Sequence, residues 1–210
     1  MSKTIVFQGD SITDCGRSRQ SVAANTGLGG GYAYMTAAYL LCSEPEKDYQ
    51  IFNSGIGGDR VVDLYARWKV DTLNFKPDIL SILVGVNDTW REVEQHDGVE
   101  VDRYEMFYRM LLEWTLRELP QIKLVLLEPF VLPTGVVSPQ WMPEIAARQK
   151  IVKKLALEFD AVFIPLQMLF DEALKKQADP GYWTKEGVHP LASGHQLISQ
   201  AWLQGTENIR

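Results

Sequence analysis

The sequence predicts an α/β protein, a three-layer α/β/α sandwich around a five-stranded parallel sheet of order 2-1-3-4-5, the flavodoxin-like arrangement. Three observations predict it. Five short runs rich in β-branched residues are near-continuously apolar rather than alternating, as strands covered on both faces are. Segments of helical periodicity separate them, and strands joined by helices make parallel, right-handed βαβ units. Polar or glycine-rich residues follow the first three strands, where such a sheet opens its crevice at the carboxyl ends.

The first run is Thr4–Phe7, followed by Gly9-Asp10-Ser11. Gly27–Gly31 reads as a loop entering a helix over Tyr32–Leu41. Ile51–Phe52 is the second strand, and Asn53-Ser54-Gly55-Ile56-Gly57-Gly58 follows it. Val61–Leu73 places Val61, Leu64, Tyr65 and Trp68 on one helical face. Ile79–Val84 is the third strand and Gly85-Val86-Asn87-Asp88 the loop after it; Glu92–Asp97, with His96, reads as a solvated loop. Asp102–Leu119 has Tyr104, Phe107, Tyr108, Leu111, Leu112 and Thr115 at helical intervals. Lys123–Leu127 is the fourth strand, and the proline-punctuated loop Pro129–Pro143 leads to Met142–Arg148, a candidate rim of the site. A helix over Pro143–Phe159, a strand at Ala161–Ile164 and helices at Leu166–Lys176 and Ser193–Leu203 complete the pattern. No internal repeat, low-complexity tract or linker interrupts it, so residues 1–210 read as a single domain.

The 210 residues are 46% hydrophobic and 23% charged, enough to build a core without staples. A net charge of -6 leaves no basic stripe for nucleic acid or an anionic membrane surface. No stretch is long and apolar enough to span a bilayer, and the opening residues lack the apolar run of a signal peptide, which points to a cytoplasmic protein. The two cysteines, Cys15 and Cys42, form neither a disulfide framework nor a zinc motif.

Chemistry concentrates in four blocks. In Gly9-Asp10-Ser11, a serine on a tight turn after a buried strand projects its hydroxyl from the sheet edge, although a helix N-cap explains the tripeptide equally well. In Glu186-Gly187-Val188-His189-Pro190, one short loop before the last helix can supply both a base and its orienting carboxylate. Serine needs such a base to take its proton, and the base needs a partner to fix its tautomer. An ester carbonyl under attack develops negative charge on oxygen. The backbone N–H groups of Ser11 and Gly58 and the side-chain amide of Asn87 are candidate donors to it. Taken singly, the glycines read as loop geometry and Asn87 as a turn residue. Having Ser, Gly, Asn and His in this order, each beside a strand end or the last helix, favours a serine esterase. His195, inside the last helix, reads as surface or packing, and Cys15 as a small buried side chain.

This constellation resembles the SGNH hydrolases, or GDSL esterase/lipase family, over nearly the whole chain. Gly9-Asp10-Ser11-Ile12-Thr13, Asn53–Asp59, Gly85-Val86-Asn87-Asp88 and Glu186–Pro190 resemble the family's blocks. Gly9–Arg17 and Val86–Arg91 look closest to its intracellular acetylxylan esterase branch. The resemblance implies removal of acetyl groups from carbohydrates such as xylo-oligosaccharides through an acyl-enzyme, without metal or cofactor, by an enzyme that forms homo-oligomers in some members. A lipid-directed esterase or lysophospholipase of the same family is the alternative, and a non-catalytic flavodoxin-like binding protein the reading from another class. One departure stands out: the family's Asp-x-x-His is here Glu186-x-x-His189, and Asp179 is a second candidate acid. Asp10, Trp90 and Trp183 are candidate substrate contacts, and Asp14 and Arg17 candidate supports of the nucleophile turn.

Overall fold

The computed structural model describes residues 2–21 and 23–210. Its five strands are β1 (Lys3–Gly9), β2 (Tyr49–Asn53), β3 (Ile79–Leu83), β4 (Lys123–Leu127) and β5 (Val162–Ile164). They form one parallel sheet in the order β2-β1-β3-β4-β5, as expected. The helices are α1 (Ser11–Asp14), α2 (Tyr32–Ser43), α3 (Val61–Asp71), α4 (Val86–Gln95), α5 (Val101–Glu118), α6 (Trp141–Glu158), α7 (Leu166–Lys176), α8 (Pro180–Trp183) and α9 (Ala192–Gly205). Among the described residues, no helix is long and apolar enough to cross a membrane.

Strand residues alternate between two apolar cores because successive side chains leave a strand on opposite faces. Ile5, Phe7, Ile79 and Val125 pack with Tyr32 and Ala37 of α2, Phe170 of α7 and Trp202 of α9. Val6, Leu80, Ile82 and Leu124 pack with Trp68 of α3, Tyr108 of α5 and Leu155 of α6. Both faces are therefore covered, which is why the strands read as continuous apolar runs. Two of the fully buried indoles satisfy their N–H groups: Trp68 Nε1 donates to Thr115 Oγ1 at 2.9 Å, and Trp202 Nε1 to Ser81 Oγ at 3.0 Å.

Two expectations are corrected. Gly85–Asp97 is not a loop but contains α4, which starts straight after Gly85 and ends at His96 in the left-handed region. Val86, Trp90 and Val93 recur along it at helical spacing and pack on the core, a short stripe that the surrounding polar residues mask. Met142–Arg148 is not a rim but the first half of α6. Met142 and Pro143 are exposed there, while Trp141 and Arg148 are fully buried. Arg148 is held inside by Glu144 Oε2 at 2.7 Å, the Val99 carbonyl and the face of Tyr104, while its Nε has no partner among the described residues.

β1 lies between β2 and β3, so the chain leaves it towards one side for β2 and towards the other for β3. That reversal opens the crevice, and the loops after β1, β2 and β3 border it.

Candidate active site

β1 ends at Gly9, and a Cβ there would lie 2.2 Å from the Leu83 carbonyl oxygen of β3. Only glycine turns the chain at this distance. Asp10 follows in extended conformation, and its Oδ1 accepts the Ile12 N–H at 3.0 Å, capping α1. Ser11 opens that single turn of helix at the carboxyl edge of the sheet.

The Ser11 hydroxyl lies 2.8 Å from His189 Nε2. His189 sits on the α8–α9 loop, which an antiparallel bridge between Thr184 and Pro190 closes, with Lys185 N–H donating to the His189 carbonyl at 2.8 Å. Gly187, at φ +93°, packs against the carbonyls of Leu132 and Thr134 too closely for any side chain. Glu186 Oε1 accepts the His189 backbone N–H at 3.1 Å and forms a short hydrogen bond with Nδ1. One carboxylate oxygen thus fixes both the loop and the ring. With Nδ1–H on Glu186, Nε2 is the bare nitrogen that faces Ser11. Asp179 does not share this role: its Oδ1 accepts the Gly181 N–H at 2.8 Å and caps α8.

Across the crevice, Gly58 turns the β2–α3 loop at φ +87°. Among the described residues, the backbone N–H groups of Ser11 and Gly58 have no hydrogen-bond acceptor. Asn87 Nδ2 donates to the Asp59 carbonyl at 3.0 Å, which leaves its second N–H in reserve. Asp14 Oδ2 accepts the Gly57 N–H at 3.0 Å, and a Cβ on Gly57 would sit 3.8 Å from that of Ser11. Arg91 Nη2 donates to the Gly58 carbonyl at 3.1 Å. Sequence reasoning missed Arg91 and Asp59. Arg91 lies one helical turn after Asn87, so recognising α4 was the signal that could have found it.

The remaining candidates divide between the buried interior, the site and the surface. Asp10 is not a substrate contact: it is 1% exposed, beneath the nucleophile turn, and its Oδ2 has no partner among the described residues. Burial raises its pKa to about 7. Asp88 is likewise buried, its pKa also raised by burial to about 7, with Oδ1 accepting the Val61 N–H at 3.0 Å. His195, read as surface or packing, is packed in the core. Its Nδ1 accepts the Tyr32 N–H at 3.1 Å and its Nε2 lies 3.4 Å from Cys15 Sγ. Burial, then the charge of His189, lowers its pKa to about 4. Trp90 is half-buried with its ring centroid 6.2 Å from that of His189, resting on Trp141. Trp183 is held on α8 by its Nε1 donating to the Gln177 carbonyl, its ring against Tyr182, and it is not brought into this cluster.

A hydroxyl, an imidazole and a carboxylate in series, beside unpaired N–H donors at the mouth of a doubly wound sheet, have the geometry of a serine hydrolase. Residues 7–197 match the GDSL-like Lipase/Acylhydrolase family. The acetylxylan esterase of Geobacillus stearothermophilus is 35% identical over 214 residues, covering 98% of this chain and 95% of the relative. A protein from Parabacteroides merdae solved as a GDSL-like lipase superposes with a TM-score of 0.94 at 41% identity, covering 100% of this chain and 98% of that one. A catalytic mutant of the Geobacillus esterase superposes with a TM-score of 0.87 at 32% identity, over 98% of this chain and 95% of that one. The chain belongs to the GDSL-like lipase/acylhydrolase, or SGNH, family and is a carboxylic ester hydrolase.

Proposed function

We propose that this protein is an acetylesterase acting on O-acetylated carbohydrates such as xylo-oligosaccharides, through an acetyl-enzyme on Ser11. The observation that carries this is the 2.8 Å contact between Ser11 Oγ and His189 Nε2, with Glu186 on the opposite ring nitrogen. Ser11 Oγ attacks the acetyl carbonyl carbon and passes its proton to His189 Nε2. The carbonyl oxygen becomes an oxyanion, met by the N–H groups of Ser11, Gly58 and Asn87; one such donor is worth about 3 kcal/mol. The intermediate collapses, and the sugar oxygen leaves with the proton from His189. Water then attacks acetyl-Ser11, again giving its proton to His189, and acetate departs as Ser11 regains that proton. Glu186 stabilises the imidazolium at both steps.

The acetyl and carbohydrate parts of this reading rest on the acetylxylan esterase relative and on Trp90 beside His189, an aromatic face suited to stacking on a sugar ring. The catalytic mutants of that relative replace a serine, a histidine or an aspartate by alanine, which matches the chemical types of Ser11 and His189 and makes Glu186 a longer acid of the same kind. Release of acetate from p-nitrophenyl acetate and from acetylated xylo-oligosaccharides, with Ser11→Ala as control, tests it. Wild type equal to Ser11→Ala on both would overturn the esterase reading, and faster turnover of long acyl chains than of acetyl would replace the sugar ester with a lipid.

A further inference from the structure

A cavity of about 390 Å³ lies between the segment after α1 and the edge strand β2, with Ser54 and Ile56 of the loop that carries Gly57 in its lining. This volume falls in the range of about 300–1,000 Å³ typical of small-molecule sites. Phe52 and Phe75, with ring centroids 4.4 Å apart, form an apolar wall, and Ser18 supplies a hydroxyl. Gly57 is exposed and lies next to Ser11, a Cβ on it falling 3.8 Å from that of Ser11, while its neighbour Ile56 lines the cavity and Asp14, which accepts the Gly57 N–H, pairs with the lining residue Arg19.

The charges around the cavity are unevenly satisfied. Arg67 binds Asp59 at 2.7 Å and Asp71 at 3.1 Å. Arg19 pairs with Asp14 at 3.6 Å. Arg17 uses its Nε on the Gly55 carbonyl, and among the described residues its terminal nitrogens bond to nothing. Partial burial, with the neighbouring Arg67 and Arg19, lowers its pKa against the opposing charges of Asp14 and Asp71. A desolvated guanidinium fork is a receptor for a planar anion.

We propose that this cavity is a subsite for a carboxylate-bearing sugar, a uronic acid unit of the acetylated glycan, with Arg17 as its recognition group. The inference rests on the reading of the enzyme as a glycan acetylesterase. The ester lies at Ser11, the chain of sugars crosses Gly57, and the uronate carboxylate meets the terminal nitrogens of Arg17 while its ring packs on Phe52 and Phe75. A single guanidinium without a bonded carboxylate matches a single negative charge, which favours a carboxylate over a dianionic phosphate.

Acetate release from acetylated xylo-oligosaccharides with and without a uronic acid substituent tests this, measured for wild type, R17Q and R17K. Wild type is expected to show a KM about tenfold lower for the acidic substrate, as a charged hydrogen bond supplies. R17Q is expected to bring the two KM values together, and R17K to keep part of the difference. Equal KM values in wild type, or a preference that survives R17Q, overturn the subsite while the acetylesterase reading stands. Turnover of an aryl acetate but of neither oligosaccharide removes the glycan reading itself. Glucuronate and glucose 6-phosphate as competitors separate the anions: inhibition by the phosphate alone overturns the carboxylate assignment.

Discussion

Asn87 donates its side-chain amide to the Asp59 carbonyl at 3.0 Å, tying the start of α4 to the loop that carries Gly58. Two of the three donors that would meet an oxyanion are therefore held in one rigid frame, and Arg91 anchors the same loop through the Gly58 carbonyl. Preorganisation of this kind lets N–H groups stabilise a developing charge without moving.

Asn87→Ala removes both the donor and this tie. Its kcat on p-nitrophenyl acetate is expected to fall by about 10²–10³, with a smaller change in KM. Loss of less than fivefold would take Asn87 out of the oxyanion site.

Glu186→Gln keeps the shape of the side chain but no longer stabilises the imidazolium, and the ring tautomer that suits Ser11 is disfavoured. Turnover of an aryl acetate is expected to drop by about 10²–10⁴. Glu186→Asp shortens the reach to Nδ1 and is expected to fall between wild type and the amide. Unchanged turnover in Glu186→Gln would show that His189 works without its acid.

Burial raises the Asp10 pKa from 3.8 to about 7. Between those values the native state holds a proton there that the unfolded chain releases, so this group's contribution to stability falls as pH rises and levels off above about 7. In thermal melts, Asp10→Asn is expected to gain on wild type steadily from pH 4 to pH 7. A constant difference in Tm across that range would show that Asp10 stays ionised.

His195 has the opposite sign. Its folded pKa is lowered from 6.5 to about 4, so acid favours the unfolded chain, and stability is lost as pH falls through this window. His195→Gln is expected to lose stability at pH 7, where the Tyr32 N–H loses its acceptor, and to lose less of it at pH 5. Equal destabilisation at both values would argue against a buried neutral ring.

Gly9→Ala places a methyl against the Leu83 carbonyl oxygen. Urea denaturation is expected to show a loss of about 1–3 kcal/mol, the usual range for overpacking, with turnover falling as the Ser11 turn shifts.

The sheet was legible because both its faces are covered, so Ile79–Leu83 and Lys123–Leu127 stand out as apolar runs whichever core they serve. The pair Ser11 and His189 was legible as two residue types at two loop positions, and the structure brings them within hydrogen-bonding distance. α4 was hard to read: Asn87, Asp88 and Thr89 are poor helix formers, buried through tertiary contacts, and they obscure the short apolar stripe of Val86, Trp90 and Val93. Asp10 was misread for a related reason, and His195 was left open between surface and packing. A polar side chain is expected near solvent, and only the fold shows that Asp10 lies under the turn and His195 against Tyr32. Glu186 could be named but its reach could not, since that depends on the tight packing of Gly187 against Leu132 and Thr134.

Ser11 and His189 stand 178 positions apart, at opposite ends of the chain. The last helix carries His189 into place by bonding to the first half of the molecule, through Thr36 to Ser199, Tyr32 to His195 and Ser81 to Trp202. The pair therefore cannot form in any partly folded species that lacks this docking. Such long-range closure comes at the expense of much chain entropy and is slow relative to local helix formation. During refolding, the first appearance of ester cleavage times the meeting of the two termini, which makes turnover a clock for the ring closure of the whole polypeptide.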